Sequence, residues 1–279
     1  MDVEDYRRTS HEVWGAMAPG WERWSAQLAE ALTPVRKWLI RVLGPRPGET
    51  VLELGAGTGE TGFETATILG ADGRLISTDF SPEMVEVARR RGTELGLGNV
   101  DYRVIDAERI ELDSGSVDGV LGQSTFMLAA DPAAALAETR RVLRPGGRLV
   151  LSVWGAPERN PWASIGGMIL AERGHMPPPE PGAPGVFSMA SEERTRALLD
   201  GAGFGSVRTE EVRVRFDFRA LEDHEQWVID VAGLFAMLVR GLPEDEREVL
   251  RTRLREAFVP FGADGGYELP GVALCAVGS

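Results

Sequence analysis

The sequence predicts an α/β fold built on a mostly parallel, seven-stranded sheet that is flanked by helices. Between about residues 48 and 154, short β-branched apolar runs alternate with helical patterns, which is typical of parallel strands joined by crossover helices. A glycine-rich turn follows the first run and opens the first of those helices. With 279 residues and 43% apolar content the chain can form one sizeable core, so we expect a single domain.

Five parallel strands are predicted in the first part of the chain. The helices between them begin near Glu60, Ser81 and Asp131. Ser81 and Asp131 each precede a proline, which suits an N-cap followed by the first helical position. We therefore expect the core of the domain over residues 45–155. The predicted strands are residues 50–55, 74–79, 100–106, 117–122 and 147–154.

The remaining segments are predicted to cover and extend this core. Residues 1–44 are expected to form a helical N-terminal cover, and residues 156–204 and 219–262 an inserted helical cap. Strand-like patterns at 205–218 and 265–278 predict an antiparallel pair at one sheet edge. The proline-rich stretch 176–185 is expected to be a surface linker. Helical patterns in the cap lie at about 162–172, 191–201, 222–240 and 244–259.

Charge and composition exclude several classes of function. Acidic residues number 43 against 30 basic ones, a formal net charge of -13, which argues against a nucleic-acid partner. No apolar stretch of about 18 residues or export signal is visible, so we expect no membrane span. Cys275 is the only cysteine, which fits a reducing cytoplasm. The oligomeric state is left open by the sequence.

A glycine-rich turn follows the first predicted strand. Gly55, Gly57 and Gly59 let the backbone turn tightly and approach a ligand. The spacing Gly57-x-Gly59-x-x-Gly62, with Asp79 about 20 residues beyond, also fits a dinucleotide site. Glu53 favours a different ligand, because a carboxylate just below the turn suits a sulfonium and an ammonium group better than a pyrophosphate.

Five segments resemble, in order, the motifs of class I S-adenosylmethionine-dependent methyltransferases. They are VLELGAGTG, LISTDFSPEMVEVAR, VIDAERI, SVDGVLGQSTFMLAADP and LRPGGRLVLSVW. The pattern is most similar to the ubiquinone and menaquinone C-methyltransferases, and it covers about residues 45–155. The resemblance implies a Rossmann-like sheet, S-adenosylmethionine as cofactor and S-adenosylhomocysteine as product. Segments outside this range vary with the acceptor in that family.

The resemblance also implies which residues bind the cofactor. Gly55, Gly57 and Gly59 would hold the methionine end, with Glu53 supporting the turn and the amino group. Asp79 would hold the ribose hydroxyls, and the backbone carbonyl of Gln123 would accept from the ammonium. The full predicted set is Glu53, Gly55, Ala56, Gly57, Gly59, Asp79, Phe80, Met84, Asp106, Ala107 and Gln123. The adenine would be surrounded by Phe80, Met84, Asp106 and Ala107. Alternatively, Met84 only packs in the core and Asp106 only caps a turn.

The expected reaction is methylation of a small organic acceptor at oxygen or carbon. Direct displacement from a sulfonium requires orientation and the exclusion of water, but no metal, and no metal site is apparent in the sequence. His11 is the first candidate for a general base, with a solvated helix position as the alternative; His175 and His224 carry less weight. An apolar or aromatic acceptor pocket is predicted from Trp14, Trp21, Trp24, Phe126, Met127 and Trp162.

Three alternatives remain open at this point. The tryptophans of the N-terminal segment can instead pack its helices onto the core. The overlapping glycine pattern also fits an NAD(P)-dependent oxidoreductase. A protein that binds S-adenosylmethionine without transferring its methyl group is the third, because no base is assigned with certainty.

Overall fold

The computed structural model describes residues 3–177 and 183–279. One sheet runs through the molecule in the order β3-β2-β1-β4-β5-β8-β6, with a two-residue strand β7 paired to β8. Strands β1 to β5 are parallel, and β8 lies antiparallel between β5 and β6. This confirms the mostly parallel sheet with an antiparallel edge pair. The strands are β1 Thr50–Leu54, β2 Arg74–Asp79, β3 Val100–Val104, β4 Val117–Gln123, β5 Leu143–Trp154, β6 Arg208–Phe218, β7 Gly262–Ala263 and β8 Gly266–Gly278.

Eleven α-helices surround the sheet in the part of the chain that the structure describes. Helices α4 and α5 begin where the sequence predicted, and Ser81 Oγ caps α5 by accepting from the amide of Met84 at 3.2 Å. Asp131 caps α6 in the same way. The helices are α1 Val3–Arg23, α2 Ser25–Ala31, α3 Thr33–Leu43, α4 Glu60–Leu69, α5 Pro82–Glu94, α6 Pro132–Val142, α7 Pro161–Glu172, α8 Glu192–Gly201, α9 Leu221–Val231, α10 Leu234–Gly241 and α11 Glu244–Phe258.

Several element boundaries differ from the sequence prediction. The predicted helix 222–240 is two helices, because Gly233 has a positive φ of 58° and interrupts the helical backbone between α9 and α10. Strand β5 starts at Leu143 rather than at residue 147, since an irregularity in its pairing with β4 absorbs the Pro-Gly-Gly turn. Strand β3 ends at Val104, and the chain then turns at Asp106, whose side chain accepts from the amide of Glu108 at 2.9 Å.

The helices cover the sheet in a way that leaves its carboxyl edge partly open. Helix α3 packs on the middle of the sheet, whereas α1 crosses above it and contacts α5, α9 and α10. Helices α7 and α11 pack on each other, and α7 also contacts β8. Helix α8, within the segment predicted as cap, contacts α6 and β8 and so flanks the sheet. Of the predicted linker 176–185, residues 178–182 lie outside the described part of the chain.

None of the helices in the described ranges is both long and apolar enough to cross a membrane. The apolar core lies between the sheet and its helices. Its centre consists of strand residues with at most 1% exposure, among them Leu52, Leu54, Leu75, Leu121 and Val150. This packing fixes β1, β2 and β4 side by side, and their carboxyl ends therefore meet at one edge of the sheet. The strand order reverses between β1 and β4, which is where open α/β sheets bind ligands.

Candidate functional site

A cavity of about 1140 Å³ opens at the carboxyl ends of β1, β2 and β4. Its walls come from the loops after these strands, from α1 above them, and from α7, α9 and α11 of the cap. Pockets for one small molecule measure about 300–1,000 Å³. This cavity therefore has room for a cofactor and a second small molecule side by side.

The glycine turn forms one wall of the cavity. A Cβ built on Gly57 meets no atom within 4 Å, so the backbone at this position faces open space. The amide of Gly57 donates to Asp79 Oδ2 at 3.0 Å. Gly55 is needed for a different reason, because a Cβ there would collide with the side chain of Thr125. Gly59, predicted to bind the cofactor, instead begins α4 beneath the ring of Phe63 and does not line the cavity.

Glu53 is the buried carboxyl group of the site. Its side chain is 2% exposed and accepts a hydrogen bond from Ser77 Oγ at 2.9 Å. The pKa of Glu53 is raised to about 8, mainly by burial and to a smaller extent by the nearby Glu60 and Asp79. A Cβ on Gly62 would collide with this carboxyl, so the first turn of α4 fits closely around it. A cation bound in the cavity would stabilise the ionised form, as the sulfonium and ammonium groups of S-adenosylmethionine would.

Asp79 ends β2 and organises the next loop. It accepts from the amides of Gly57 and Ser81, each at 3.0 Å, one through each carboxylate oxygen. Burial raises its pKa from the ordinary value. A carboxylate has about four acceptor sites, so these amides position Asp79 without using up its capacity to accept from ligand hydroxyls.

The remaining predicted cofactor residues line the same cavity. These are Ala56, Phe80, Met84, Asp106, Ala107 and Gln123. Gln123 Oε1 accepts from Thr61 Oγ1 at 3.0 Å, which ties the end of β4 to α4. Its neighbour Ser124 has a φ of 57°, the one positive φ of a non-glycine residue in the described chain. A strained backbone directly at the cavity edge fixes the direction of this loop.

Thr125 was missed by the sequence analysis. Its hydroxyl lies 2.9 Å from the carbonyl of Leu54 and 3.2 Å from that of Gln123. It therefore joins the ends of β1 and β4 beneath the glycine turn. The sequence signal was weak, because a threonine after a strand is common in turns.

His11 lies at the same end of the cavity as Asp79. Its ring packs edge-on against Phe80 with 4.5 Å between ring centroids, and its side chain is largely exposed. If Asp79 holds the ribose, as the sequence predicts, His11 covers that end of the cofactor.

Of the six residues predicted to line an acceptor pocket, four line this cavity: Trp14, Trp21, Met127 and Trp162. The structure does not place Trp24 and Phe126 in the cavity wall. The indole of Trp24 turns away and donates to Asp230 Oδ2 at 2.9 Å, which anchors the end of α1. Phe126 is fully buried against Gly122 in the core.

The cap contributes polar and aromatic residues to the cavity that received little or no weight in the sequence analysis. His224 and Trp227 on α9 line it, together with Phe216 of β6. A charged pair from α9 and α11, Glu225 with Arg251 at 3.0 Å, lies on the same side. The spacing of His224 and Trp227, three residues apart on a helix, was the available signal that they share a face.

A second charged contact in the cavity wall involves α1. The guanidinium of Arg7 on α1 pairs with Glu108, which also accepts from the backbone amide of Ala130 at 2.7 Å. Tyr6 Oη donates to the carbonyl of Leu128 at 2.9 Å. The first turns of α1 are thus held over the loops that follow β3 and β4. Across residues 3–177 and 183–279, no three His, Cys, Asp or Glu side chains are grouped so as to hold a metal ion.

Comparison with known proteins matches residues 45–165 to a family described as a methyltransferase domain. The aklanonic acid methyltransferase DauC of Streptomyces sp. (strain C5) is 35% identical over 44% of this chain and 56% of its own length. The ubiquinone/menaquinone biosynthesis C-methyltransferase UbiE of Teredinibacter turnerae is 32% identical over 45% of this chain and 51% of its own. The chain therefore spans about half the length of these curated relatives.

The fold is also found among solved structures. The YcgJ protein of Bacillus subtilis superposes with a TM-score of 0.59 at 19% identity, over 87% of this chain and 96% of that one. The likeness extends beyond the matched family segment. At this level of identity it concerns the fold alone.

Proposed function

We propose that this chain, whose residues 45–165 match a methyltransferase domain, is a class I S-adenosylmethionine-dependent methyltransferase, and that it methylates a small apolar or aromatic acceptor at oxygen or carbon. The observation that carries the proposal is the single cavity that runs from the glycine turn to the aromatic side chains of the cap. Its two ends suit two different ligands. The names of the relatives, which refer to aklanonic acid and to ubiquinone/menaquinone biosynthesis, support a small-molecule acceptor.

The cofactor end fits S-adenosylmethionine on three counts. The open backbone at Gly57 admits a ligand close to the chain. Asp79 offers oriented carboxylate oxygens to ribose hydroxyls. Glu53 is buried, so its ionisation becomes favourable when a positive group binds nearby. The negatively charged pyrophosphate of a dinucleotide would instead be repelled by the ionised form of the same carboxyl group.

When bound, S-adenosylmethionine supplies a methyl group on a positively charged sulfur, open to attack by a nucleophile. The chain's own contribution is then orientation and the exclusion of water. Helix α1 covers the cavity through Trp14 and Trp21, and Met127 and Trp162 provide apolar walls. Holding two reactants in line supplies about 7–11 kcal/mol in favourable cases. Displacement of this kind proceeds without a metal.

We propose that His11 contributes to cofactor binding rather than to proton removal. It packs on Phe80, next to Asp79, and therefore lies at the ribose end of the proposed site. No other base is required if the acceptor reacts as its own anion or through water.

Calorimetric titration with S-adenosylhomocysteine, with NAD and NADP in parallel, tests the cofactor. The matched variants are Gly57→Ala and Gly48→Ala. Both glycines have a positive φ and open space where a Cβ would lie, but only Gly57 lines the cavity. We expect both variants to lose about 1 kcal/mol of stability, and only Gly57→Ala to lose binding, at least tenfold.

Transfer of labelled methyl to a panel of phenolic and carbonyl acceptors tests the reaction. Binding of a nicotinamide nucleotide in place of S-adenosylhomocysteine would make the protein an oxidoreductase instead. Binding of S-adenosylhomocysteine with no labelled product from any acceptor would favour a protein that binds the cofactor without transfer. A panel in which only highly charged acceptors react would refute the apolar or aromatic acceptor.

A further inference from the structure

Two buried nitrogen atoms in the cap part of the cavity have no hydrogen-bond partner. They are Nδ1 of His224 and Nε1 of Trp227. The two side chains are 4% and 3% exposed, and both residues line the cavity. Buried polar atoms are nearly always paired, so two unpaired nitrogen atoms on residues that line the same cavity indicate a missing partner.

The tautomer of His224 follows from its other nitrogen. Nε2 lies 3.2 Å from the carbonyl oxygen of Trp162, and a carbonyl only accepts, so Nε2 carries the proton. Burial lowers the pKa of His224 to about 4, which keeps the ring neutral at neutral pH. Nδ1 is therefore a hydrogen-bond acceptor, whereas the indole N–H of Trp227 is only a donor.

The two rings are held side by side within an aromatic cluster. They lie 6.3 Å apart and within 25° of parallel. Phe218 and Phe258 pack edge-on against His224, at 5.1 Å and 4.9 Å between centroids. Trp162 packs against Trp227 at 5.6 Å. Of these rings, His224, Trp227 and Trp162 line the cavity, and a planar apolar molecule there could pack against them.

Resting on the proposed function, we propose that His224 and Trp227 recognise a phenolic hydroxyl of the acceptor. A hydroxyl donates one hydrogen bond and accepts others. It therefore complements both unpaired atoms: its proton goes to Nδ1 of His224, and its oxygen accepts from the indole of Trp227. Neither atom touches solvent in the structure, so the acceptor displaces part of the surrounding ring cluster as it binds.

The assignment makes both residues determinants of specificity. A site whose buried polar groups pair with a ligand hydroxyl rejects the analogue that lacks it, because those groups are then left unpaired. The aromatic body of the acceptor would gain from the surrounding rings whether or not the hydroxyl is present. Selectivity for the hydroxyl is therefore the property that distinguishes recognition from mere packing.

The test uses the full chain saturated with S-adenosylhomocysteine and titrated with naphthol, methoxynaphthalene and naphthalene. We expect naphthol to bind most tightly, since methoxynaphthalene accepts but cannot donate and naphthalene does neither. Trp227→Phe should weaken naphthol binding about 5- to 30-fold. His224→Phe should abolish the preference for naphthol over methoxynaphthalene. Both changes keep an aromatic ring in the cluster.

Trp38→Phe is the matched control, because its indole donates to Glu210 at 2.7 Å outside the cavity. It should leave all three affinities unchanged. Equal binding of naphthol and naphthalene by the wild type, or unchanged naphthol binding in both variants, would overturn the assignment. Loss of S-adenosylhomocysteine binding in these variants alone would overturn it too, since they would then act on the cofactor. Failure of the proposed function appears separately, as absent S-adenosylhomocysteine binding by the wild type.

Discussion

Replacing Glu53 by glutamine tests the electrostatics of the cofactor site directly. The carboxyl is 2% exposed, and its burial raises its pKa from an ordinary 4.5 to about 8. Glutamine has the same length and keeps an oxygen that accepts from Ser77 Oγ, but it does not ionise. The variant therefore removes the titration and leaves the packing of β1 nearly unchanged.

The sign of the effect follows from the direction of the shift. Since the folded pKa is higher than the unfolded one, the folded protein retains a proton that the unfolded chain has lost. The contribution of Glu53 to the free energy of unfolding is fully present below pH 4.5 and is lost as the pH rises to about 8. At about 1.4 kcal/mol per pH unit, the free energy of unfolding falls by about 5 kcal/mol through Glu53 between pH 4.5 and about pH 8.

Glu53→Gln should therefore be more stable than the wild type at pH 8 and equal to it near pH 4.5. Urea denaturation followed by tryptophan fluorescence, between about pH 4.5 and pH 8, measures this. We also expect at least a tenfold loss in affinity for S-adenosylhomocysteine, whose ammonium loses its counter-charge, but no loss for adenosine, which has no ammonium. Glu94→Gln, at an exposed position on α5, is the control. Parallel pH profiles for wild type and variant, or an equal loss of adenosine binding, would refute the reasoning.

Three further predictions concern the cap, the N-terminal helix and the glycine turn. Burial lowers the pKa of His224 to about 4, so the neutral ring contributes to the free energy of unfolding above pH 6.5, and about 3 kcal/mol of this contribution is lost as the pH falls to 4. In urea denaturation, His224→Phe should make the free energy of unfolding less dependent on pH over that range. An unchanged pH dependence would contradict this. Asp230→Asn weakens the hydrogen bonds from Arg23 at 2.6 Å and from Trp24 at 2.9 Å. Amide hydrogen exchange in α1 should therefore become about tenfold faster. The control Asp200→Asn, at an exposed position, should leave the exchange rate unchanged. At Gly55, φ is 64°, and in Gly55→Ala the new Cβ would in addition collide with Thr125. Thermal denaturation should show a loss in the free energy of unfolding of more than about 2 kcal/mol for Gly55→Ala and of about 1 kcal/mol for Gly48→Ala. Equal losses would show that the collision is relieved.

The core of the fold was predictable because its signals are local. Alternating apolar runs and helical patterns identified β1 to β5, and the caps at Ser81 and Asp131 located two helix starts to within a residue. The glycine turn combined residues only a few positions apart, so its geometry followed from the sequence. Gly59 was the exception, since the ring of Phe63 that covers it becomes apparent only once α4 has formed.

Boundaries were missed where a single glycine decides between two allowed backbones. The pattern of residues 222–240 is compatible with one long helix, and Gly233 interrupts it because its φ is positive. Its amide lies 3.1 Å from the sulfur of Met17, on a helix more than two hundred residues earlier. A contact of that sequence separation stabilises the break, and no local pattern reports it.

The acceptor end was predicted least well, and the reason lies in how the cavity is made. Its wall forms where α1 packs on α9 and α10, so the side of each helix that faces the cavity depends on the crossing of distant segments. Trp21 and Trp24 are three residues apart, yet only Trp21 reaches the cavity, because Asp230 holds the other indole outside. His224 received little weight from its acidic neighbours in sequence, and it acquires its aromatic surroundings only through β6 and α11. The residues proposed to bind the cofactor thus lie mainly in local motifs, whereas those proposed to recognise the acceptor are brought together by tertiary contacts of the cap. We therefore expect substitutions at His224 and Trp227 to change the acceptor without changing the cofactor.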